Sequence, residues 1–347
     1  MTAPHAAPPP FERAWAAVRE TIESGALCGG VLGVWPGNAA SPQLAAAGYT
    51  DDTQKKAITP EAWFDLASLT KVLLTTPWVL RFIHEGRFAL DTPLGDVLPD
   101  LRQVYAQEKH AQEKHAQEND PRRALTIEQL LSHQSGLPAW FPLYTYGADP
   151  ARLRAFILQR AWPLGEAVYS DVNFMVLGIL IERMRGAMMA DDKGLWDVLP
   201  AGLAASPPDE VPIAATELCP WRGRCLRGDV HDENAYALGG LAGHAGAFGC
   251  AMGVLSAARA LLAGQSLPAP VVATMMTPRP AGFALGWRVS EPWVFHTGFT
   301  GTSVHMDPVR GDVWCLLSNR IHPSRHRAMA LQDLRSQVAA VLAGASS

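Results

Sequence analysis

Strand-like segments at the two ends of this 347-residue chain constrain its fold more than any other pattern. Near the N-terminus, residues 30–35 and 43–49 are short apolar runs that flank a Pro-Gly-Asn turn signal. Four further strand-like runs lie near the C-terminus, at 282–289, 293–297, 302–306 and 313–317. The pattern between the two ends is mainly that of helices and loops. This order of segments is consistent with a single sheet that contains strands from both termini, with the helices inserted between the N-terminal and the C-terminal strands.

The segments predict an α+β fold in which an antiparallel sheet built from both termini is flanked by helices. In this arrangement residues 1–75 and 275–347 form an α/β lobe, and residues 76–274 form an inserted, mainly helical lobe. The repeated Ala-Gln-Glu sequence at 106–119 is interpreted as an insertion in a surface loop. Apolar residues at helical spacing predict helices at 11–24, 70–85 and 324–342. A substrate site is expected in the cleft between the lobes.

Composition and charge argue against several classes of partner. The net charge is −4 and the chain has no basic block, so nucleic acid is not the expected partner. The uncharged segment 236–258 is rich in glycine and is interpreted as a loop leading into a helix, which predicts no membrane association. The N-terminal residues lack the basic and apolar regions of a signal peptide, and the expected location is cytoplasmic.

The five cysteines fit neither a complete disulfide framework nor a zinc site. Five thiols cannot all pair within one chain, and Cys219 and Cys225 are spaced as C-x5-C where zinc motifs have C-x2-C. Reduced thiols are expected, as is usual in the cytoplasm. No cofactor is predicted, and the expected partner is a small-molecule substrate, with the oligomeric state left open.

Lys71 lies in an unusual setting for a lysine. It is the one lysine of the chain within an apolar run, residues 63–74. Burial there carries a desolvation penalty and predicts a lowered pKa. Ser68 precedes it by three residues, which on a helix places the hydroxyl and the amine on one face. Because serine is a weak nucleophile until an adjacent base activates it, the two residues are a candidate nucleophile and base.

Two further motifs follow along the chain. Tyr169 begins the sequence Tyr-Ser-Asp171, and a tyrosine can transfer protons when a neighbouring ammonium lowers its pKa. A Ser-Asp pair before an apolar helix is also an ordinary helix cap. His296-Thr297-Gly298 lies on a predicted strand, where glycine lets a substrate approach the backbone and the strand edge offers an N–H to an oxyanion. The alternative interpretation is a strand that runs into a turn.

In this order the three motifs resemble those of the serine β-lactamase and penicillin-recognising family, whose signatures are Ser-x-x-Lys, Tyr-x-Asn or Ser-x-Asn, and Lys/His-Thr-Gly. Residues 64–71 and 130–138 are similar to the family's nucleophile segment and to its Leu-Leu-Thr-His-Thr-Ser-Gly-Leu-Pro sequence. The resemblance covers nearly the whole chain. Residues 230–235, 243–246 and 318–323 resemble a subgroup of class C-like hydrolases that includes muropeptide amidases of cell-wall recycling.

The resemblance implies a β-lactamase/transpeptidase-like fold and a serine hydrolase that acts through an acyl-enzyme. Ser68 would be the acylated nucleophile, Lys71 its proton acceptor or electrostatic activator, and Tyr169 the general base. The backbone N–H groups of Ser68 and Phe299 would form the oxyanion hole. The substrate would be a small, cell-wall-derived amide or ester, bound by Asp171, His296, Thr297 and Gly298.

Two residues depart from the family pattern and keep alternatives open. Asp171 stands where many relatives have Asn, and a carboxylate cannot donate an N–H to a substrate carbonyl, which argues against efficient β-lactam turnover. Asp171 could instead pair with Lys71 or accept a hydrogen bond from the substrate. His296 replaces Lys and offers a weaker, pH-dependent charge for a carboxylate. One alternative is a non-catalytic ligand-binding module of the penicillin-binding type, which Asp171 favours. The other is a metal-dependent hydrolase that uses His231, Asp232 and His244.

Overall fold

A computed structural model of the protein describes residues 8–101, 120–327 and 329–344. The predicted repeat at 106–119 lies outside these residues. The strands within the described ranges are β1 (Gly29–Trp35), β2 (Gln43–Gly48), β3 (Phe64–Asp65), β4 (Leu203–Ala204), β5 (Leu218–Cys219), β6 (Arg224–Cys225), β7 (Phe248–Gly249), β8 (Arg288–Ser290), β9 (Trp293–Thr297), β10 (Ser303–Met306) and β11 (Val313–Ser318).

Helices fill most of the chain between the two groups of strands. The α-helices of the described residues are α1 (Pro10–Glu23), α2 (Thr76–His84), α3 (Leu94–Val97), α4 (Ile127–Leu131), α5 (Pro150–Gln159), α6 (Asp171–Arg185), α7 (Glu233–Ala237), α8 (Ala251–Leu262), α9 (Ala269–Met276) and α10 (Gln332–Leu342). A π-helical turn, Lys71–Thr75, leads directly into α2. No helix of the described residues is both long enough and apolar enough to span a bilayer.

The main sheet combines strands from both ends of the chain, as predicted. Its six strands are antiparallel and follow the order β2-β1-β11-β10-β9-β8. The N-terminal β1 therefore lies beside the C-terminal β11, with Gly30 opposite Ser318 and Trp35 opposite Val313. This topology confirms the α+β class expected from the sequence.

Both faces of this sheet are covered, which explains why its central strands are apolar almost throughout. In β11 the side chains of Val313, Cys315 and Leu317 belong to the larger core, which includes residues of α8. Their neighbours Trp314 and Leu316 point to the opposite face, where they pack with apolar residues of α1 and α10. The alternation follows from the two-residue period of a β-strand.

Three predicted elements differ from the structure. The helix predicted at 70–85 forms, but it starts with a π-helical turn before Pro77, a residue that has no N–H to donate. The strand predicted at 282–289 is wrong for most of its length, because Gly286 adopts a left-handed conformation (φ +80°) and donates its N–H to Leu131. The helix predicted at 324–342 begins only at Gln332, because the N–H of Arg325 is bonded to the Glu217 carboxylate.

The division into lobes at residues 75 and 275 stays a prediction. One helix of the 76–274 segment, α8, packs against the main sheet through β1, β10 and β11. The glycine-rich residues that precede α8 form the loop predicted before a helix in segment 236–258.

Candidate active site

A half-open cleft of about 470 Å³ contains most of the residues that the motifs indicated. Predicted site residues that line it are Ser68, Tyr169, Asp171, His296, Thr297 and Phe299. Lys71 lies beneath this surface with no solvent exposure. Gly298 is buried, and a side chain there would collide with Thr302 Oγ1 and the carbonyl of Leu66. The glycine is therefore needed for close packing against the nucleophile segment, and its role in substrate binding stays a prediction.

A buried carboxylate holds the turn that carries Ser68. Asp65, at the end of β3, accepts the N–H of Ala67 at 2.8 Å and the N–H of His231 at 2.6 Å. Ala67 has a left-handed conformation with φ +48°, which is unfavourable for a residue with a Cβ and is found where surrounding structure enforces it. The turn directs Ser68 into the cleft, at the start of the helical segment that continues through Lys71.

Lys71 contacts three acceptors at once. Its Nζ lies 2.8 Å from Ser68 Oγ and 3.1 Å from the carbonyl oxygen of His244. It also forms an ion pair with Asp171, in which Nζ is 2.8 Å from Oδ1. The one-turn spacing of Ser68 and Lys71 thus brings the hydroxyl and the amine into direct contact, as the sequence predicted; their roles as nucleophile and base stay a prediction.

The prediction of a lowered Lys71 pKa is wrong. Burial does favour the neutral amine, but the carboxylate of Asp171 outweighs it, and the net direction of the Lys71 pKa is upward. Lys71 is therefore an ammonium in the resting site. A pairing of Asp171 with Lys71 was one of the possibilities open from the sequence, and the ion pair confirms it; the lowered pKa was expected from the apolar neighbours of Lys71 alone.

Tyr169 is positioned by the start of α6. Ser170 caps this helix by accepting the N–H of Asn173 at 3.2 Å, and its own N–H is bonded to Nδ1 of His133 at 3.0 Å. The imidazole of His133 packs on the phenol ring of Tyr169, with ring centres 4.5 Å apart. The Tyr-Ser-Asp sequence therefore both caps α6 and contributes a residue to the candidate site.

The Tyr169 hydroxyl is hydrogen bonded to both Ser68 and Lys71. Burial raises the Tyr169 pKa, and although the Lys71 ammonium opposes this, the net direction is upward. A phenolate is thus not the resting form, contrary to the expectation that the ammonium would lower this pKa. The hydroxyl instead can accept one proton as it donates another.

His296 is a neutral imidazole in this cleft. Burial lowers its pKa well below the usual histidine value, and the charges of Lys71 and Arg288 add to the effect. The expectation of a pH-dependent positive charge at this position is therefore wrong. Both ring nitrogens of His296 are buried without a hydrogen-bond partner in the described chain, so one donor and one acceptor of the ring are unsatisfied there.

Two residues that line the cleft, Ser68 and Phe299, have backbone N–H groups without a partner in the described part of the chain. The segment after β9 is fixed against the nucleophile turn, because Thr300 and Thr302 donate their hydroxyls to the carbonyls of Asp65 and Leu66. Donors fixed in this way can stabilise an oxyanion. The assignment of the Ser68 and Phe299 N–H groups as the oxyanion hole stays a proposal.

Arg288 supplies a cation that the sequence arguments missed. It lies on β8 and lines the cleft, with its guanidinium 5.7 Å from the ring centre of Tyr169 and 4.7 Å from that of Phe283. Among the described residues, no carboxylate or carbonyl pairs with this guanidinium. Arg288 belongs to none of the motifs, and it reaches the cleft because β8 pairs with β9, where Arg288 lies opposite Phe295.

The residues of the metal alternative are occupied by other interactions. His231 Nε2 lies 2.9 Å from Glu217, and His244 Nε2 lies 2.8 Å from Asp232. No group of three or more His, Cys, Asp or Glu side chains within residues 8–101, 120–327 and 329–344 is arranged to hold a metal ion. The Asp232–His244 pair has another role, because it orders the loop whose His244 carbonyl accepts the Lys71 ammonium.

Comparison with known proteins agrees with this geometry. The family model described as Beta-lactamase matches residues 16–338. The chain belongs to the beta-lactamase family. A family member from Salmonella agona (strain SL483), named "Putative D-alanyl-D-alanine carboxypeptidase", is 28% identical, over 76% of this chain and 71% of its own.

Solved structures of other proteins share the fold of this chain. A class C beta-lactamase from Rhodobacter sphaeroides superposes with a TM-score of 0.71 at 19% identity, covering 96% of this chain and 99% of its own. The D-amino acid amidase from Ochrobactrum anthropi SV3 also gives 0.71, at 17% identity, with coverage of 97% and 99%. Membership of the beta-lactamase family makes this protein a serine hydrolase.

Asp65 and His133 are further site residues that the sequence arguments did not single out. Asp65, like Lys71, is a charged residue within the apolar run 63–74, and the same reasoning about desolvation would have indicated it. His133 lies in the segment 130–138 that carried part of the family resemblance. Its contact with Tyr169 depends on the approach of α4 and α6, which the local sequence does not specify.

Proposed function

We propose that this protein hydrolyses an amide bond in a small, cell-wall-derived substrate through an acyl-enzyme on Ser68. The observation that carries the proposal is the 2.8 Å contact between Lys71 Nζ and Ser68 Oγ, in a site that Tyr169 completes. Hydroxyl, ammonium and phenol lie within one hydrogen-bonded group. This is the arrangement needed to activate a serine and to return its proton.

The charge states of the site suggest how Ser68 loses its proton. Lys71 begins as an ammonium, so it passes one proton to Asp171 Oδ1 as it accepts the proton of Ser68 Oγ. Both transfers span 2.8 Å. The Ser68 oxygen bonds to the substrate carbonyl carbon, and the negative charge moves from Asp171 to the carbonyl oxygen. The N–H groups of Ser68 and Phe299 stabilise this oxyanion.

Tyr169 then assists departure of the amine. As the C–N bond breaks, the leaving nitrogen takes the Tyr169 hydroxyl proton, and Tyr169 regains one from Lys71, which is recharged by Asp171. Water next occupies the space of the leaving group and attacks the acyl carbon. Tyr169, Lys71 and Asp171 take up a proton of this water in the same way, and Ser68 recovers its hydrogen when the ester bond breaks.

The cleft favours a substrate that carries a carboxylate near the bond to be cleaved. Arg288 lies beside Tyr169 and has no carboxylate partner among the described residues, whereas His296 is neutral and suits a hydrogen bond to an amide group. The names of a carboxypeptidase relative and of an amidase with the same fold refer to D-alanyl and D-amino acid substrates. We therefore favour a muropeptide or peptide amide over a simple ester, and a cytoplasmic location stays part of the proposal.

The non-catalytic alternative has less support. It was motivated by Asp171, but Asp171 pairs with Lys71 and leaves the contact of Lys71 with Ser68 intact. β-Lactam turnover is not favoured, because the carboxylate offers no N–H to the acyl side of a β-lactam.

Covalent labelling tests the proposal. Wild-type protein, Ser68→Ala and the control Ser24→Ala, which changes an exposed serine after α1, are incubated with a fluorophosphonate or penicillin and weighed intact. We expect one adduct on the wild type and the control and none on Ser68→Ala, with kcat for muropeptide amides lowered by about 10⁶-fold. Equal labelling of all three proteins would refute the acyl-enzyme.

A further inference from the structure

A connected set of aromatic side chains extends outward from the cleft. Trp140 lines the cleft itself, and its ring centre lies 6.5 Å from that of Tyr144. Tyr144 contacts Trp221 at 4.9 Å, and Trp221 contacts Tyr236 at 5.8 Å. We call these four residues the aromatic wall. None of them has a part in the acyl-transfer steps above.

The aromatic wall is open to solvent. The exposed fractions are 45% for Trp140, 50% for Trp221 and 42% for Tyr236, and Tyr144 is half-buried between them. Exposed apolar side chains that form a contiguous patch, as these do, are typical of binding surfaces. Indole and phenol groups also combine a flat apolar face with a polar N–H or O–H.

The wall is held in place before any ligand binds. Asn234, which is fully buried in α7, accepts the N–H of Tyr144 at 3.1 Å and donates to the carbonyl of Phe141 at 2.8 Å. One side chain thus joins the segment that carries Trp140 and Tyr144 to the helix that carries Tyr236. A surface ordered in this way loses little conformational entropy when it binds.

Helix α7 connects the aromatic wall to the cleft that contains Ser68. Asp232 and Glu233, at the start of this helix, line the cleft. Tyr236 follows one turn later on the same helix. A ligand whose reactive carbonyl lies at Ser68 can therefore extend from the cleft past Trp140 onto the wall.

The charge of the wall favours a neutral ligand. The guanidinium of Arg222 lies 4.1 Å from the ring centre of Tyr236 and 5.2 Å from that of Trp221. It donates to the carbonyls of Val230 and His231, so it is fixed there. Because this cation already occupies ring faces of the wall, a cationic ligand is disfavoured.

We propose that the aromatic wall binds a pyranose ring carried on the acyl part of the substrate. The C–H groups of a pyranose carry partial positive charge and stack on aromatic faces, while its hydroxyl groups hydrogen bond to indole N–H and phenol O–H groups. The inference rests on the proposed function and names the glycan-bearing half of a muropeptide as the group that the wall recognises.

Calorimetry with a matched pair of ligands tests the wall separately from turnover. The protein carries Ser68→Ala, and the ligands are N-acetylmuramoyl-L-alanyl-D-isoglutamine and the same dipeptide with a lactoyl group in place of the sugar. We expect the sugar-bearing ligand to bind about tenfold more tightly. Adding Trp221→Ala or Tyr236→Ala should remove this preference, and Tyr236→Phe, which keeps the ring, should retain it.

The control variant is Tyr49→Ala, since Tyr49 is exposed to a similar extent, 43%, and lies outside the wall. It should keep the preference for the sugar. Equal binding of both ligands before any wall substitution, or a preference that survives Trp221→Ala and Tyr236→Ala, would overturn the sugar site. Either result leaves the acyl-enzyme standing, because labelling of Ser68 is measured independently; absence of labelling would instead refute the proposed function.

Discussion

Replacing Asp171 by Asn removes the carboxylate that keeps Lys71 charged. In the wild type the two groups are 2.8 Å apart, and the Lys71 side chain has no solvent exposure. The Asp171 charge is what raises the Lys71 pKa against the effect of burial. In Asp171→Asn only the smaller contribution of Tyr169 still opposes burial, and the folded variant is expected to hold Lys71 as a neutral amine at neutral pH.

The cost of that neutral amine has a distinctive pH dependence. An unfolded lysine has a pKa near 10.4, so keeping Lys71 neutral at pH 7 costs about 4.6 kcal/mol, similar to the ~3–5 kcal/mol lost when one partner of a buried ion pair is removed. The cost falls by about 1.4 kcal/mol for each pH unit, to about 2 kcal/mol at pH 9. In the wild type the Lys71 pKa is raised, so its stabilising contribution is complete below the unfolded pKa and is lost only as the pH rises through the folded value.

Urea unfolding followed by tryptophan fluorescence at pH 7, 8 and 9 measures this difference. The gap in unfolding free energy between wild type and Asp171→Asn should narrow as the pH rises. The double variant Lys71→Met/Asp171→Asn is the control and should show no such slope, because it has no titrating group at this place. A gap that is the same at pH 7 and pH 9 would refute a neutral Lys71 in the variant, and with it the role assigned to Asp171.

Two further predictions concern the substrate side of the cleft. Arg288→Gln should raise KM about 10- to 100-fold for peptide amides with a carboxylate, since it removes a charge-assisted hydrogen bond; p-nitrophenyl acetate hydrolysis should not change, and an equal loss on both substrates would contradict a carboxylate-binding role. Because the His296 pKa lies well below its usual range, the wild-type KM for carboxylate substrates should stay constant from pH 5.5 to 7.5. An inflection near pH 6.5 that disappears in His296→Gln would show that this imidazole is charged during binding.

The strands of the main sheet and the Ser68–Lys71 contact could be predicted because each depends on residues close together in the chain. Apolar runs at 30–35 and 313–317 specify strands through local conformational preference and burial, wherever their partners are. The three-residue spacing of Ser68 and Lys71 specifies one helix face in the same local way. The strand predicted at 282–289 was wrong for the converse reason, since Gly286 is bonded to Leu131, far away in the chain.

The sequence by itself indicated Ser68, Lys71 and Tyr169 as candidate residues, because their types and their order along the chain are those of acyl-transfer chemistry, but it did not indicate Arg288, Asp65 or His133. Only the tertiary structure decided how these groups are charged. Lys71 is an ammonium because Asp171 lies against it, and His296 is neutral because it is buried beside Lys71 and Arg288. A pKa depends on every charge and on the solvent within a few ångströms, and those neighbours are brought together only when α6, β8 and β9 close around the cleft.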